Sequence, residues 1–291
     1  MKKTLVVRTV TGFTAAVLPV LALVFLQTPL LGILVIFFAA LAAYELCHAA
    51  QIKNKPMIIA AIVVGALVPP ALEYHLLERL RIPVFPVLLG YFFLLVVLML
   101  ARFEQTRFSH VLYALLASLA VPGALASILL LRGHIELREG MLYEQNLAVF
   151  FVFFTLCCAW LTDVFALFVG VKFGRRKLCP RISPKKTVEG AVGGLALTAL
   201  FNVGFAALFN AFWLERHKLS LLAIGLVSVL VCVVSMVGDL AASVLKRNYG
   251  IKDYGKLFPG HGGVMDRFDS VMFTMPSVFM VAYHIPIVSV M

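Results

Sequence analysis

The chain has 291 residues, of which 62% are hydrophobic and 13% charged, and its formal net charge is +11. Soluble globular domains carry about 25% charged residues, so this composition excludes a soluble globular protein. Apolar runs recur along the chain, and each is of the length, roughly 17–25 residues, that crosses the hydrocarbon core of a bilayer as a helix. The sequence therefore predicts an all-α, polytopic integral membrane protein.

Nine membrane spans are predicted from the apolar runs. In chain order they cover residues 10–26, 30–50, 57–72, 83–101, 111–131, 147–171, 190–213, 219–242 and 270–289. The first run follows a basic start that imitates a signal peptide, but no small-x-small cleavage site follows it, and we interpret it as an uncleaved span. The third is the weakest, because Pro69 and Pro70 interrupt it. We divide the chain into N-terminal spans (1–145) and a C-terminal catalytic region (146–291) with two long cytosolic loops.

The distribution of Lys and Arg predicts the orientation of these spans. With the N-terminus in the cytosol, the inner segments hold 19 of the 25 basic residues and the outer loops hold 6. Basic residues accumulate on the cytoplasmic side of membrane proteins, so a cytosolic N-terminus is favoured. A candidate active site in the two basic C-terminal loops would then lie on the cytosolic face of the cell's inner membrane.

Three carboxylates are predicted to lie within the cytosolic half of the bilayer. Glu45, Asp163 and Asp239 are each seven or eight residues from the inner end of a span, which places them about 10–12 Å deep at 1.5 Å per residue. A charged group at a helix centre costs about 2.5–3.5 kcal/mol on insertion scales, so we expect a shared polar cavity open to the cytosol. For any one of them alone, a satisfied interhelical hydrogen bond is the alternative. Glu45 and Glu189 are interpreted as support groups rather than metal ligands.

The segment SVLKRNYGIKDYGKLFPGHGGVMDRFD, residues 243–269, combines acidic, basic and glycine residues between two apolar runs. Asp266 and Asp269 are three residues apart and would share one helix face. Carboxylate oxygens suit Mg²⁺, the glycines allow close approach of the backbone to a ligand, and the basic side chains pair with phosphate. This equipment is typical of phosphoryl or nucleotidyl transfer. The chain has no G-x-x-x-x-G-K-[ST] loop, which argues against an ordinary ATPase.

This segment resembles the signature of the phosphatidate cytidylyltransferase (CDP-diacylglycerol synthase) family. The matching positions are Ser243, Lys246, Arg247, Lys252, Asp253, Gly255, Pro259, His261, Gly262, Gly263, Asp266, Arg267 and Asp269. A second stretch, KFGRRKLCPRISPKKTVEG at 172–190, is similar to the family's FGK-x-K-L…SPKKT-x-EG. The sixth span departs from the family's D-[ST]-G/F-A-Y, because it reads DVFAL at 163–167, and this leaves the role of Asp163 open.

The resemblance implies that CTP and phosphatidic acid are converted to CDP-diacylglycerol and pyrophosphate at the lipid bilayer, with no nucleic acid as partner and with a homodimer as the expected assembly. It implies Mg²⁺, with two cations per site, and metal ligands at Asp239, Asp266 and Asp269. Lys246 joins these three as a catalytic candidate. The substrate-binding candidates are Lys185, Lys186, Ser243, Arg247, Lys252, His261, Gly262, Gly263 and Arg267. In physical terms, cations held by the acids would let two anionic phosphates approach one another.

Two other functions remain as hypotheses. A CTP-dependent lipid or polyprenol kinase would share the metal and nucleotide requirements but transfer the γ-phosphate. A secondary transporter of an anionic metabolite would predict inverted repeats with interrupted helices in matching halves. The sequence has no visible repeat of this kind, and all five aspartates lie in its second half.

Overall fold

The structure is a computed structural model that describes Leu26 and residues 28–132, 145–214, 217–258, 262–285 and 287–290. Among these residues, six helices are long and apolar enough to cross a membrane: Pro29–Ala49, Lys55–Glu73, Phe108–Arg132, Asn146–Phe173, Val188–Phe212 and Leu221–Asn248. Val84–Leu100 and Val271–His284 are shorter apolar helices of 17 and 14 residues. They extend for about 26 and 21 Å at 1.5 Å per residue. The mostly helical, membrane-spanning class is thus confirmed.

The chain forms two compact units, and the first consists of Met1–Leu130 with Asn248–Phe268. The helices that belong to it are α1 (Pro29–Ala49), α2 (Lys55–Glu73), α3 (Leu76–Arg79), α4 (Val84–Leu100), α5 (Phe108–Leu115), α6 (Val121–Arg132, up to Leu130) and α11 (Met265–Phe268). A π-helical turn, Leu116–Ala120, joins α5 to α6. The loop that carries most of the glycine-rich signature therefore packs with the N-terminal helices.

The second unit consists of Leu131–Arg247 with Asp269–Met291. Its elements are α7 (Gln145–Leu156), α8 (Thr162–Phe173), β1 (Lys177–Cys179), β2 (Ser183–Thr187), α9 (Val188–Phe212), β3 (His217–Leu219), α10 (Leu221–Asn248, up to Arg247), α12 (Val271–His284) and β4 (Val288–Val290). A π-helical turn, Cys157–Leu161, joins α7 to α8. The strands form two antiparallel pairs, β1 with β2 and β3 with β4.

Eight of the nine predicted spans coincide with apolar helices, and the span at 10–26 lies outside the described residues except for Leu26. The nine-span count, the orientation and the division at residue 145 stay predictions. The third predicted span, 57–72, is confirmed as a helix despite its two prolines, because α2 continues through Pro69 and Pro70 to Glu73. Prolines are tolerated in membrane helices when neighbouring groups satisfy the backbone that they free. The last span is shorter than predicted, since α12 ends at His284 and β4 follows it.

Small residues set the close approach of α1 to α2 in the first unit. A Cβ atom on Gly65 would lie 3.2 Å from Ala43 Cβ and 3.3 Å from Pro122 Cγ, so the helices meet where side chains are smallest. Membrane helices associate through such packing, because lipid offers no hydrophobic driving force between them.

Glycines also set the packing of α8 against α9 in the second unit. A Cβ on Gly190 would come 2.6 Å from the carbonyl oxygen of Ala166, and one on Gly194 would come 2.7 Å from that of Thr162. The hydroxyls of Thr162 and Thr198 lie 3.3 Å apart between the two helices and are fully buried. This contact fixes α8 relative to α9; α8 carries Asp163, and the strand that leads into α9 carries Lys185 and Lys186.

We expect Gly194→Ala to destabilise the protein by about 1–3 kcal/mol, because the added methyl group would meet backbone rather than a movable side chain. Gly204→Ala is the matched control in the same helix, since a Cβ there meets nothing within 4 Å. Because alanine favours the helix more than glycine does, Gly204→Ala should leave the free energy of unfolding unchanged or raise it by about 0.5–1 kcal/mol. Thermal unfolding of both variants in the same detergent tests this packing. Equal melting temperatures for the two variants would contradict it.

Candidate active site

A cavity of about 320 Å³ opens in the second unit between α8, α9, α10 and the β1–β2 hairpin. This volume falls within the roughly 300–1,000 Å³ typical of small-molecule sites. Its lining consists of Asp163, Ala166, Leu167, Leu178, Ser183, Lys185, Lys186, Thr187, Ala191, Met236, Asp239 and Ser243. Five of these are residues that the sequence singled out, and an apolar wall accompanies them.

Lys186 lies between two carboxylates in this cavity. Its Nζ donates to Asp163 Oδ1 at 3.2 Å and lies 2.6 Å from Asp239 Oδ2. The side chains of Lys186 and Asp239 are only 22% and 21% exposed, so water screens this bridge poorly. The prediction that Asp163 and Asp239 share a polar cavity is confirmed.

Local structure explains why the three charged groups meet. Asp163 lies in the first turn of α8, directly after the π-helical turn. Lys186 is the last but one residue of β2 and precedes Thr187, whose hydroxyl caps α9 by accepting from the amide of Gly190 at 3.1 Å. Because the cap fixes the start of α9, it also fixes the strand residue that precedes it. π-Helical turns are frequent at functional sites, as one is here.

Glu189 supports the hairpin from the first turn of α9. Its carboxylate accepts the amide N–H groups of Arg175 and Arg176 at 2.9 and 3.1 Å. The interpretation of Glu189 as a support group is confirmed. The same bonds fasten the chain between α8 and β1, where the exposed basic residues begin.

A second ion pair joins α10 to the start of α12. Lys246 Nζ lies 4.0 Å from Asp269 Oδ2, and both side chains are largely buried. Burial raises the pKa of the Asp269 carboxyl to about 6; the charge of Asp239 adds to the rise and Lys246 opposes it. Burial alone would lower the pKa of the Lys186 ammonium, but Asp163 and Asp239 outweigh it and raise that pKa. The raised pKa of Lys186 reflects the two carboxylates beside it, whereas that of Asp269 reflects mainly its burial.

The other predicted residues have more varied surroundings. Ser243 and Lys185 line the cavity, whereas Arg247 is exposed near the end of α10. Lys252 is exposed, and Arg267 is half-buried in α11, both in the first unit. His261 lies outside the described residues.

Gly262, Gly263 and Asp266 form one tightly bonded turn in the first unit. Asp266 Oδ2 accepts the amide N–H groups of Tyr254 and Gly263 at 2.7 and 3.0 Å. Gly262 has φ +83°, which favours glycine, and a Cβ there would lie 2.5 Å from Asp266 Oδ2. These glycines therefore accommodate a carboxylate of the protein itself, and their binding of substrate stays a prediction.

Glu45 binds backbone groups of the first unit, and a cavity shared with Asp163 and Asp239 stays a prediction. Its two carboxylate oxygens accept the amide N–H groups of Val264 and Met265. The alternative interpretation, that Glu45 is a support group, is confirmed.

Sequence reasoning missed the apolar lining of the cavity. Ala166 and Leu167 lie three and four residues after Asp163, and Met236 lies three residues before Asp239. Helical spacing from the two aspartates places these residues on the same faces, and that spacing could have identified them.

Comparison with known proteins identifies the family. Residues 6–285 match the sequence model of the cytidylyltransferase family. The chain belongs to the cytidylyltransferase family. The phosphatidate cytidylyltransferase of Bacillus subtilis (strain 168) is 31% identical over 279 residues, covering 94% of this chain and 95% of that protein. That of Rickettsia bellii (strain RML369-C) is 29% identical over 235 residues, covering 80% and 94%. That of Staphylococcus saprophyticus (strain ATCC 15305) is 39% identical over 139 residues, covering 46% and 50%.

The donor set of this cytidylyltransferase fits a hard divalent cation. Among the described residues, no three or more His, Cys, Asp or Glu side chains are grouped to hold a metal ion by themselves. Mg²⁺ usually binds through one or two carboxylates plus substrate phosphates. Asp163 and Asp239 converge on a single positive charge, the Lys186 ammonium.

We expect Lys186→Met to destabilise the protein by about 1–2 kcal/mol, because two carboxylates would then face one another without their cation. This corresponds to a fall in melting temperature of about 2–8 °C. Added Mg²⁺ should raise the melting temperature of Lys186→Met more than that of the wild type, by replacing the lost charge. Lys218→Met, at an exposed position in β3, is the control. An identical response to Mg²⁺ in all three proteins would show that no cation replaces Lys186.

Proposed function

We propose that this protein transfers the cytidylyl group of CTP to phosphatidic acid, giving CDP-diacylglycerol and pyrophosphate. The observation that carries the proposal is the similarity to phosphatidate cytidylyltransferases over 94% of the chain. The cavity supports it, because anionic and cationic side chains meet there beside an apolar wall among membrane helices. The substrates match the charged side chains and the apolar wall of the cavity: CTP is water-soluble, and phosphatidic acid joins an anionic headgroup to apolar chains.

The reaction requires two anions to approach one another. An oxygen of the lipid phosphate attacks the α-phosphorus of CTP and forms a new P–O bond. The bond from that phosphorus to the oxygen bridging the β-phosphate breaks, and pyrophosphate leaves with the electron pair. The protein needs no nucleophilic side chain, because the lipid phosphate is already ionised. Repulsion between like charges is the main obstacle, and positioned positive charge lowers it.

The cavity residues are suited to this task. Lys185 and Lys186 offer ammonium groups to phosphate oxygens, and the Ser243 hydroxyl lies one turn after Asp239 on α10. The pairing of Lys186 with two carboxylates keeps the ammonium charged and oriented. Leu167, Leu178 and Met236 line the same cavity and present apolar surface toward an acyl-bearing substrate.

Mg²⁺ belongs to this proposal as the cation that would neutralise phosphate charge when bound. Asp239 is the residue we propose to hold it, with Asp266 and Asp269 as the further ligands that the family resemblance implies and a second cation expected beside it. Asp163 contributes charge to the same cavity and holds Lys186 in place. Lys246 partly neutralises the negative charge of Asp269.

The membrane arrangement remains part of the proposal. The nine spans follow from the apolar runs, and the cytosolic N-terminus follows from the excess of basic residues in the predicted inner segments. We propose with them that the active site faces the cytosol from the inner membrane. A cytosolic active site would meet CTP where it is made. The homodimer stays an expectation of the family resemblance.

We expect purified protein supplied with CTP, phosphatidic acid and Mg²⁺ to form CDP-diacylglycerol and pyrophosphate in equal amounts. Thin-layer chromatography of labelled lipid and a pyrophosphate assay measure the two products. Formation of CDP with a newly phosphorylated lipid would establish the kinase alternative instead. Omitting phosphatidic acid is the control, and it should abolish pyrophosphate release.

We expect Asp239→Asn and Asp266→Asn each to lower turnover by about 100-fold or more, because each removes a negative charge proposed to hold the cation. Melting temperatures should stay within a few degrees of the wild type, since the amide keeps the size of the side chain. Lys55→Ala, at the exposed start of α2, is the control and should change turnover little. Near wild-type turnover of either Asn variant at saturating Mg²⁺ would refute the metal role of that residue.

A further inference from the structure

Glu45 holds the glycine-rich signature loop from the opposite end of the sequence. It lies on α1, its side chain is buried, and only 6% of the residue is exposed. Oε1 accepts the amide N–H of Val264 at 3.0 Å, and Oε2 accepts that of Met265 at 2.9 Å. Each carboxylate oxygen is therefore engaged by one of two successive peptide groups, 219 and 220 residues further along the chain.

Two signature glycines enclose this carboxylate. A Cβ on Gly255 would lie 2.6 Å from the carboxyl carbon of Glu45, and a Cβ on Gly263 would overlap the same group. Any larger residue at either position would collide with the Glu45 side chain. Glycine is therefore required at both positions because a larger residue would displace the buried Glu45 side chain of α1, a requirement that the sequence alone did not reveal.

The loop held by Glu45 is the one that carries Asp266. Asp266 accepts the amides of Tyr254 and Gly263, and Glu45 accepts those of Val264 and Met265, so two carboxylates fasten four peptide groups of one turn. Hydrogen bonds to an ionised acceptor are roughly twice as strong as neutral ones.

Aromatic contacts fix both ends of the same loop on the N-terminal helices. The rings of Phe38 on α1 and Phe268 have centroids 5.6 Å apart, and those of Tyr113 on α5 and Tyr249 are 5.2 Å apart. The loop is thus held at its beginning, at its end and, through Glu45, beside Asp266.

We infer that Glu45 is a positioning residue for the reaction: it orients Asp266 through the backbone of Val264 and Met265 without touching substrate. The inference deepens the proposed function and rests on it for the role of Asp266. A purely structural role would predict that losing Glu45 lowers stability while kcat of the folded fraction is unchanged.

The first test compares wild type, Glu45→Gln and Glu104→Gln as full-length proteins in the same detergent. Glutamine keeps the size of the side chain but can accept only one of the two amides, and its NH₂ group faces the other donor. Hydrogen–deuterium exchange measured on peptides covering residues 262–268 should be about tenfold faster in Glu45→Gln. Glu104→Gln changes an exposed side chain in the loop after α4 and should match the wild type.

Kinetics on the same samples separate positioning from stability. We expect kcat of Glu45→Gln to fall about 10–100-fold with KM for phosphatidic acid within about twofold of wild type, because alignment rather than lipid binding is lost. Faster exchange with unchanged kcat would overturn the positioning role. Unchanged exchange would overturn the hold on the loop. Absence of cytidylyl transfer in the wild type would instead refute the proposed function, while the exchange result still decides whether Glu45 holds the loop.

A second set of variants covers the case in which Glu45→Gln does not fold. Gly263→Ala alone should be strongly impaired, because the new methyl group would overlap the Glu45 carboxylate. In the Glu45→Ala background that obstacle is gone, so adding Gly263→Ala should cost at least about tenfold less in kcat than it costs in the wild type. Independent, multiplicative effects of the two substitutions would show that Glu45 and Gly263 do not act on one another, and this would overturn the inference.

Discussion

The structure depends on one constraint: a carboxylate on a membrane helix needs an ion-pair or hydrogen-bond partner from the protein itself. Asp163 and Asp239 find it in one lysine ammonium, and Glu45 finds it in two peptide N–H groups. The solutions differ in what they permit. A lysine is a mobile cation on a flexible stem that can exchange one anionic partner for another, whereas peptide groups are fixed donors. The first arrangement is suited to meeting phosphates and the second to holding a loop still.

Close helix packing makes these pairings possible. The stretch VEGAVGG at the start of α9 presents glycines to α8, and the two helices approach until a methyl group would not fit between them. Lys186 lies two residues before α9 and Asp163 is the second residue of α8. The close packing of these two helices therefore helps to bring the ion pair together. Gly238, beside Asp239, packs in the same manner against the ring of Phe273. The acids of the site are therefore positioned by their uncharged neighbours.

Hydrophobicity alone located eight apolar helices, and depth arithmetic correctly predicted that Asp163 and Asp239 share a cavity. Both results depend on local properties, namely run length and rise per residue. What could not be predicted depends on contacts between distant positions. The pairing of Lys186 with Asp163 joins residues 23 apart, and that of Glu45 with Met265 joins residues 220 apart. The hairpin of β1 with β2 was not predicted, because its strands are short and basic.

The distance from Glu45 to its partners has a consequence for synthesis. A ribosome adds about 5–20 residues per second, so roughly 10–45 s separate the emergence of Glu45 from that of Met265, 220 residues later. During that interval α1 enters the membrane with an acid whose final donors do not yet exist, at a cost of about 2.5–3.5 kcal/mol if the group is charged and deeply placed. Until then, the new α1 must lie at shallow depth in the bilayer, or its Glu45 carboxylate must bind a transient partner or be protonated. Completion of the first unit is then among the last events of folding, since the segment that closes it is made after most of the chain.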